Sequence, residues 1–456
     1  MKKSITILVV LLLPLCSVFG QKWQFDYVDT EYAGESAMTM DSNGNLHVVY
    51  YKTSGWPWNT NYAKQTSNGW EIQTVAASNG MHSIAVDSKA NPHIIFIGLD
   101  YALNYATLKD GQWQVTKIDS SDYFFNNFVQ VDANGHVHVS YVGGLTNHYL
   151  KYAFYDGNVW KVEKVDTSGM VGDGCVLAID GQNRPHIVYG DGKNNTMKYC
   201  YWDGSLWQIT QFEMNQYHCG WLVLDQNDRP CISCTNENTD LAYLTFDGKQ
   251  WSEEIIQPAP PGAETGKWNS LCLDNSGIPA FAFGWTDNWI TYYLYYAYKD
   301  GNEWKVEPVD TADGLGGSKL HIVADKQNNL HIVYNSSSGI KHATTGSATG
   351  FKNNQQNILP ENIALLQNYP NPFNASTTIS YQLPENSHVS LMVYDASGKK
   401  IKTLLKKFQP ANAYTINWNG TDDLGRVVGS GVYYYKLKVR NSKTGFVQTK
   451  KMILLK

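Results

Sequence analysis

Short runs of β-branched and aromatic residues alternate with polar turns along this chain, and the alternation recurs. In the stretch DSKANPHIIFI (87–97) an Asp, a polar turn, a Pro and a His precede an apolar run. The Asp returns as Asp41, Asp87, Asp132, Asp180, Asp225, Asp274 and Asp325, at steps of 46, 45, 48, 45, 49 and 51 residues. Six positions after each stand His47, His93, His138, His186, Cys231, Ala280 and His331. Each Asp ends one apolar run, such as SIAVD, and the His opens a second, such as HIIFI. A third run centres on NYA, KYA or YYA, and after a DG-type turn a fourth holds Trp70, Trp113, Trp160, Trp207, Trp251 or Trp304. Short β-branched and aromatic runs bounded by turn residues predict strands. No long segment sustains the i, i+3, i+4, i+7 spacing of a helix.

A repeat of this length holding four antiparallel strands predicts the blade of a β-propeller. Seven Asp strands predict seven blades. The seventh unit lacks its Trp strand after KHATTG, whereas WQFDYVD at Trp23 matches WKVEKVD at Trp160. The N-terminal strand is therefore expected to complete the last blade and close the ring, which leaves no unpaired edge. A residue repeated in every blade does one structural job, while catalysis needs a single asymmetric constellation. His93 and its counterparts are thus expected to be satisfied buried groups, beside an Asp that caps the turn through backbone amides.

Outside the repeat, MKK, ITILVVLLLPL and SVFG read as the three parts of a signal peptide, residues 1–20, with cleavage after Gly20. No later segment approaches the ~20 apolar residues of a membrane span. The expectation is a protein exported through the periplasm and secreted or held at the cell surface. Cys175, Cys200, Cys219, Cys231, Cys234 and Cys272 follow the signal peptide. Export permits disulfides, but most of these are expected to be small buried apolar groups. CISC (231–234) lies in a strand that sends its cysteines to opposite faces, with no second Cys or His pair, so no zinc site is expected. No metal and no cofactor are expected.

After FKNNQQN the pattern changes to longer alternating runs, expected to form an antiparallel immunoglobulin-like β-sandwich of about seven strands. The organisation expected is a propeller over 21–345, a linker over 346–357 and the sandwich over 358–456. NYPNPFN, VYDASGKKI, WNGTDDLGRVVGSGVYYYKL and the terminal KKMILLK closely resemble the C-terminal sorting domain of the type IX secretion system of Bacteroidetes. Ala375 stands where that family usually has Pro. The resemblance implies recognition by the outer-membrane secretion machinery, then release or surface attachment. Residues 358–456 carry a net charge of +8 and residues 21–357 a net −15. The acidic propeller is a poor partner for nucleic acid, whose binding relies on Lys and Arg neutralising phosphates.

Candidate chemistry lies in the loops leading into each innermost strand and those joining second to third strands, which share one face of a propeller. His82 and His218 stand in the first kind of loop and are the candidate catalytic groups, with Tyr217 as a partner. Trp56, Trp58, Trp268, Trp285, Trp289 and Lys319 are the candidate ligand-binding residues, since a sugar ring stacks its apolar face on an aromatic and bonds its hydroxyls to a few polar groups. The architecture resembles that of sialidases and of secreted seven-bladed polysaccharide lyases and rhamnosidases. However, the turn here is D-x-x-G-x-x-H rather than the sialidase S-x-D-x-G-x-x-W, and the arginine cluster of sialidases is missing. Arg184 and Arg229 sit on the opposite face, away from where a lyase would neutralise a uronate. The reading is a secreted or surface-attached propeller that binds extracellular polysaccharide. The alternatives are a polysaccharide lyase or glycosidase working on the same face, and a protein-binding scaffold or adhesin.

Overall fold

The structure, a computed structural model, describes residues 23–31, 33–52, 57–120, 124–212, 216–257, 264–286, 292–310, 315–336, 339–346, 363–365, 368, 371–374, 376–383, 387–409, 412–440 and 445–455, with backbone alone at 216–219, 264–267, 316–318, 378, 380, 382, 412, 413 and 415. The chain divides into two compact units, Met1–Phe351 and Lys352–Lys456.

Among the described residues the first unit holds seven four-stranded antiparallel sheets. Their innermost strands are Ala33–Met40, Ser83–Val86, Phe124–Val131, Val171–Ile179, Gln216–Leu224, Glu264–Leu273 and Leu315–Ala324, which begin blades one to seven in that order. Each innermost strand packs against the next, and the seventh packs against the first. Burial grades across each blade: all of Pro92–Ile97 is buried, whereas most of the outer strand Gln112–Asp119 is exposed. The strand Gln24–Asp29 pairs antiparallel with Gly339–Thr344 and supplies the fourth strand of the seventh sheet.

The repeated Asp explains the hairpin between first and second strands. Asp41 Oδ1 accepts the backbone amides of Asn43 and Asn45, both at 2.9 Å. The same pattern recurs at Asp87, Asp132, Asp180, Asp225, Asp274 and Asp325. Three residues on, Gly44, Ala90, Gly135, Asn183, Asp228, Gly277 and Asn328 all have positive φ, which is why Gly and Asn dominate that position. The repeated His locks the hairpin. His47 Nδ1 lies 2.6 Å from the Tyr62 hydroxyl and its Nε2 3.3 Å from Asp41 Oδ2. His93, His138 and His186 make the same link to Tyr105, Tyr152 and Tyr199, and His331 makes it to His342.

Two further repeated contacts join neighbouring blades. The outer-strand Trp of one blade meets the third-strand Tyr of the blade before it edge-to-face, in Trp113–Tyr62, Trp160–Tyr105, Trp207–Tyr152, Trp251–Tyr199 and Trp304–Tyr243. Trp23 makes this contact with Tyr296 of blade six at 5.5 Å, and Trp70 of blade one makes it with His342 of blade seven at 5.8 Å. The second contact is a buried latch in which an Asp ending an outer strand accepts a Tyr hydroxyl and a Lys amine from the next blade. Asp119, Asp166 and Asp310 hold Tyr141 and Lys151, Tyr189 and Lys198, and Tyr334 and Lys341.

Cys175, Cys200, Cys231 and Cys272 are buried free thiols, and Cys234 is buried. Among the described residues no helix is long and apolar enough to cross a membrane.

Among the described residues the second unit is a β-sandwich of eight strands where about seven were expected, two of them only two residues long. Ala364–Leu365, Thr377–Leu383 and Asn412–Trp418 form one sheet. Phe373–Asn374, Gly445–Leu455, Gly431–Arg440, Ser387–Asp395 and Lys400–Gln409 form the other. Trp418, Tyr381, Tyr435 and Phe373 fill the space between them.

Candidate functional site

A cavity of about 480 Å³ lies on the axis of the first unit and draws its lining from all seven innermost strands. Its most polar wall comes from the junction of blades seven, one and two. There Lys319 Nζ stands 3.3 Å from Glu35 Oε2, an ion pair between the innermost strands of blades seven and one. Beside it His82 places Nε2 at 2.8 Å from the buried Thr60 hydroxyl. Its Nδ1 has no hydrogen-bond partner among the described residues. His321, two residues after Lys319, is 5 % exposed and lines the cavity with both ring nitrogens unpartnered among those residues.

Burial pushes both imidazoles down to about 3, with Glu35 opposing the shift and Lys319 adding to it. At neutral pH they are uncharged. A general acid or base works best with a pKa near the operating pH, so these two rings serve better as hydrogen-bonding groups than as proton carriers.

Above His82, Tyr51 and Trp58 form an aromatic stack. The Tyr51 ring lies 5.0 Å from Trp58 at 24° and 5.6 Å from His82 at 32°. Tyr51 lies one residue before the end of the second strand of blade one and Trp58 begins the third, so two paired strands carry the stack. Gly34 makes this possible, because a Cβ there would sit 1.9 Å from the Tyr51 ring. Trp268, on blade six next to the Lys319 blade, lines the cavity and meets Tyr292 at 5.0 Å. Trp268 holds φ of 51°, a strained conformation for a bulky residue.

Among the candidates from sequence, His82, Lys319 and Trp268 meet in this cavity, and Trp58 stands over His82 through Tyr51. Trp285 lies elsewhere: it packs edge-on to Tyr295 and against the core between blades five and six. Trp58, Trp268 and Trp285 are half-buried, each against an aromatic neighbour. Trp56 and Trp289 lie outside the described residues, as do the side chains of Tyr217 and His218.

Sequence reasoning missed His321 and the use made of Phe128 and Trp221. The Trp221 ring meets His321 edge-on at 4.7 Å and Phe128 edge-on at 5.2 Å. All three stand four residues before a repeated Asp, a column that reads Ala37, Ser83, Phe128, Val176, Trp221, Ser270 and His321 around the ring. That no one residue type or class holds this column, on strands that otherwise repeat, is the signal that marks it. Among the described residues no group of three or more His, Cys, Asp or Glu is placed to hold a metal ion.

The model of the FlgD Ig-like domain matches residues 371–443, within the second unit. No curated protein matches the chain. Among solved structures, AofleA from Arthrobotrys oligospora is 12% identical, with 63% of this chain and 89% of that one covered at a TM-score of 0.42. The Aleuria aurantia lectin in complex with Fucα1-6GlcNAc is 12% identical over 71% of this chain and 95% of its own, at 0.41. The Hadza microbial sialidase Hz136 is 13% identical over 70% of this chain and 68% of its own, also at 0.41.

Proposed function

We propose that this chain is an exported, seven-bladed propeller, closed by its N-terminal strand, that binds extracellular glycan at the mouth of the axial cavity. The observation that carries the reading is the Trp58–Tyr51–His82 stack beside the Lys319–Glu35 pair. It sets an apolar aromatic surface next to a few fixed polar groups at one opening, which is the combination a sugar ring requires. The cavity falls within the roughly 300–1,000 Å³ typical of small-ligand sites. An array of plant, algal and microbial polysaccharides probed with the mature full-length protein tests the reading. Binding to at least one polysaccharide supports it, and binding to none refutes it.

The second unit serves delivery in this reading. Its NYPNPFN and WNGTDDLGRVVGSGVYYYKL runs support a sorting role at the outer membrane through the type IX machinery. Deleting residues 352–456 should abolish secretion or surface display in a host that has that machinery. Undiminished display of the shortened chain would refute the assignment.

A further inference from the structure

Phe128 belongs to blade three, Trp221 to blade five and His321 to blade seven, so none of the three is on a blade next to another's. Their rings nevertheless touch in sequence, at 5.2 Å and 4.7 Å. Ring contacts between non-adjacent blades have to reach across the axis. The three side chains therefore form a bar through the cavity, one strand pleat below the level of Glu35, Lys319 and Trp268. A polymer that threaded the axis would have to displace all three rings, and Trp221 and Phe128 are packed into the blade cores on their other sides.

Charge narrows the ligand further. Among the described lining residues Lys319 is the only cation, and Glu35 neutralises it. The imidazoles of His82 and His321 are uncharged at neutral pH. An anionic sugar entering this space would lose its hydration without meeting a free positive charge, which is costly. A hydroxyl meets what it needs: His321 keeps both ring nitrogens available, one donor and one acceptor in the neutral ring.

Resting on the glycan-binding reading, we infer that the part of the axial cavity above this bar is a well that takes the terminal ring of an uncharged glycan chain, with His321 bonding its hydroxyls and Trp221 giving it an apolar floor. Such a site recognises chain ends and not internal segments.

The test uses a neutral polysaccharide that the array shows to bind. Its chains are shortened about tenfold by partial hydrolysis, and affinity per unit mass is measured on the full-length protein before and after. End recognition predicts affinity per mass about tenfold tighter for the shortened sample, because ends per mass rise by that factor. Unchanged affinity per mass overturns the inference but leaves glycan binding intact, since it means internal segments are held at the mouth. Binding to no polysaccharide removes both. In a competition arm, glucose and galactose should displace the polymer at least tenfold better than glucuronic and galacturonic acids, and the opposite order overturns the neutral-ligand claim. His321→Ala should weaken the shortened sample's binding at least tenfold, and unaltered binding by a folded variant also overturns the inference. The chain-length comparison needs no variant, so misfolding of His321→Ala leaves the test decisive.

Discussion

The Tyr50 hydroxyl lies 2.6 Å from Asp29 Oδ2 and donates to it, tying the first blade to the strand that pairs with the last one. Lys52 Nζ reaches the same carboxylate oxygen at 3.0 Å. Asp119, Asp166 and Asp310 form a similar latch at three other junctions, with the Lys there coming from the third strand rather than the second, so the N-terminal strand meets blade one much as those outer strands meet their neighbours. Tyr50→Phe should cost about 1–3 kcal/mol of stability, because it removes a hydrogen bond to a buried carboxylate. Deleting residues 23–29 should lower the melting temperature further and in a single cooperative step. An unchanged melting temperature in the deletion would contradict closure by this strand.

His93 bonds Tyr105 at 2.8 Å and faces Asp87 at 3.8 Å, well away from the axial mouth. His93→Gln should therefore reduce stability by roughly 1–3 kcal/mol and leave glycan affinity as it was. Thermal unfolding and a binding isotherm on the same sample check both halves. Full stability with lost binding would put the repeated His in the functional site.

Several buried histidines make stability fall with acid. Burial depresses His82 and His321 to about 3 and His331 to about 4. Unfolding releases each ring to its ordinary value near 6.5. Between those values the unfolded chain binds protons that the folded chain does not, so stability is full above about pH 6.5 and is lost as pH falls. Each ring contributes a slope of up to about 1.4 kcal/mol per pH unit within its window. Chemical denaturation at pH 7.5, 6 and 5 should show a steepening loss. A flat profile over that range would mean the rings titrate normally in the fold.

Gly34 lies under the Tyr51 ring, where a Cβ would fall 1.9 Å from it. Gly34→Ala should push Tyr51 out of its stack with Trp58 and His82, alter the tryptophan emission, and weaken glycan binding several-fold with little loss of blade stability. Unaltered emission and affinity would show that the stack does not shape the site.

The blades were legible in the chain because their determinants repeat: the capping Asp, the left-handed residue three positions on, and the Trp. Trp23 was readable as the seventh Trp for that reason, and its contact with Tyr296 matches the other six. The axial site was legible only in part, and the physical cause is the β-bulge. Six residues before the repeated Asp, Met81, Asn126, Gly174 and Trp268 all take positive φ. The pairing register shifts at the mouth end of six of the seven innermost strands. A bulge breaks the two-residue alternation, so strand periodicity alone does not say which of Glu35 or Ser36, or of Lys319 or Leu320, faces the axis. Lys319 and His82 were found as unrepeated polar residues near the mouth. His321 was passed over because it sits deeper, inside what reads as an ordinary apolar strand.

Glycan binding at the axial mouth is the central claim, and Trp58 of blade one and Trp268 of blade six stand on either side of blade seven, which carries Lys319. The most direct measurement is the affinity of Trp58→Ala and Trp268→Ala for a polysaccharide bound by the parent protein, each paired with a melting curve. Both variants should stay folded and bind more weakly, by roughly 1–3 kcal/mol if stacking on nucleobases is a fair guide to stacking on sugars. Two folded variants that bind as tightly as the parent would contradict the account and move the site away from the axis.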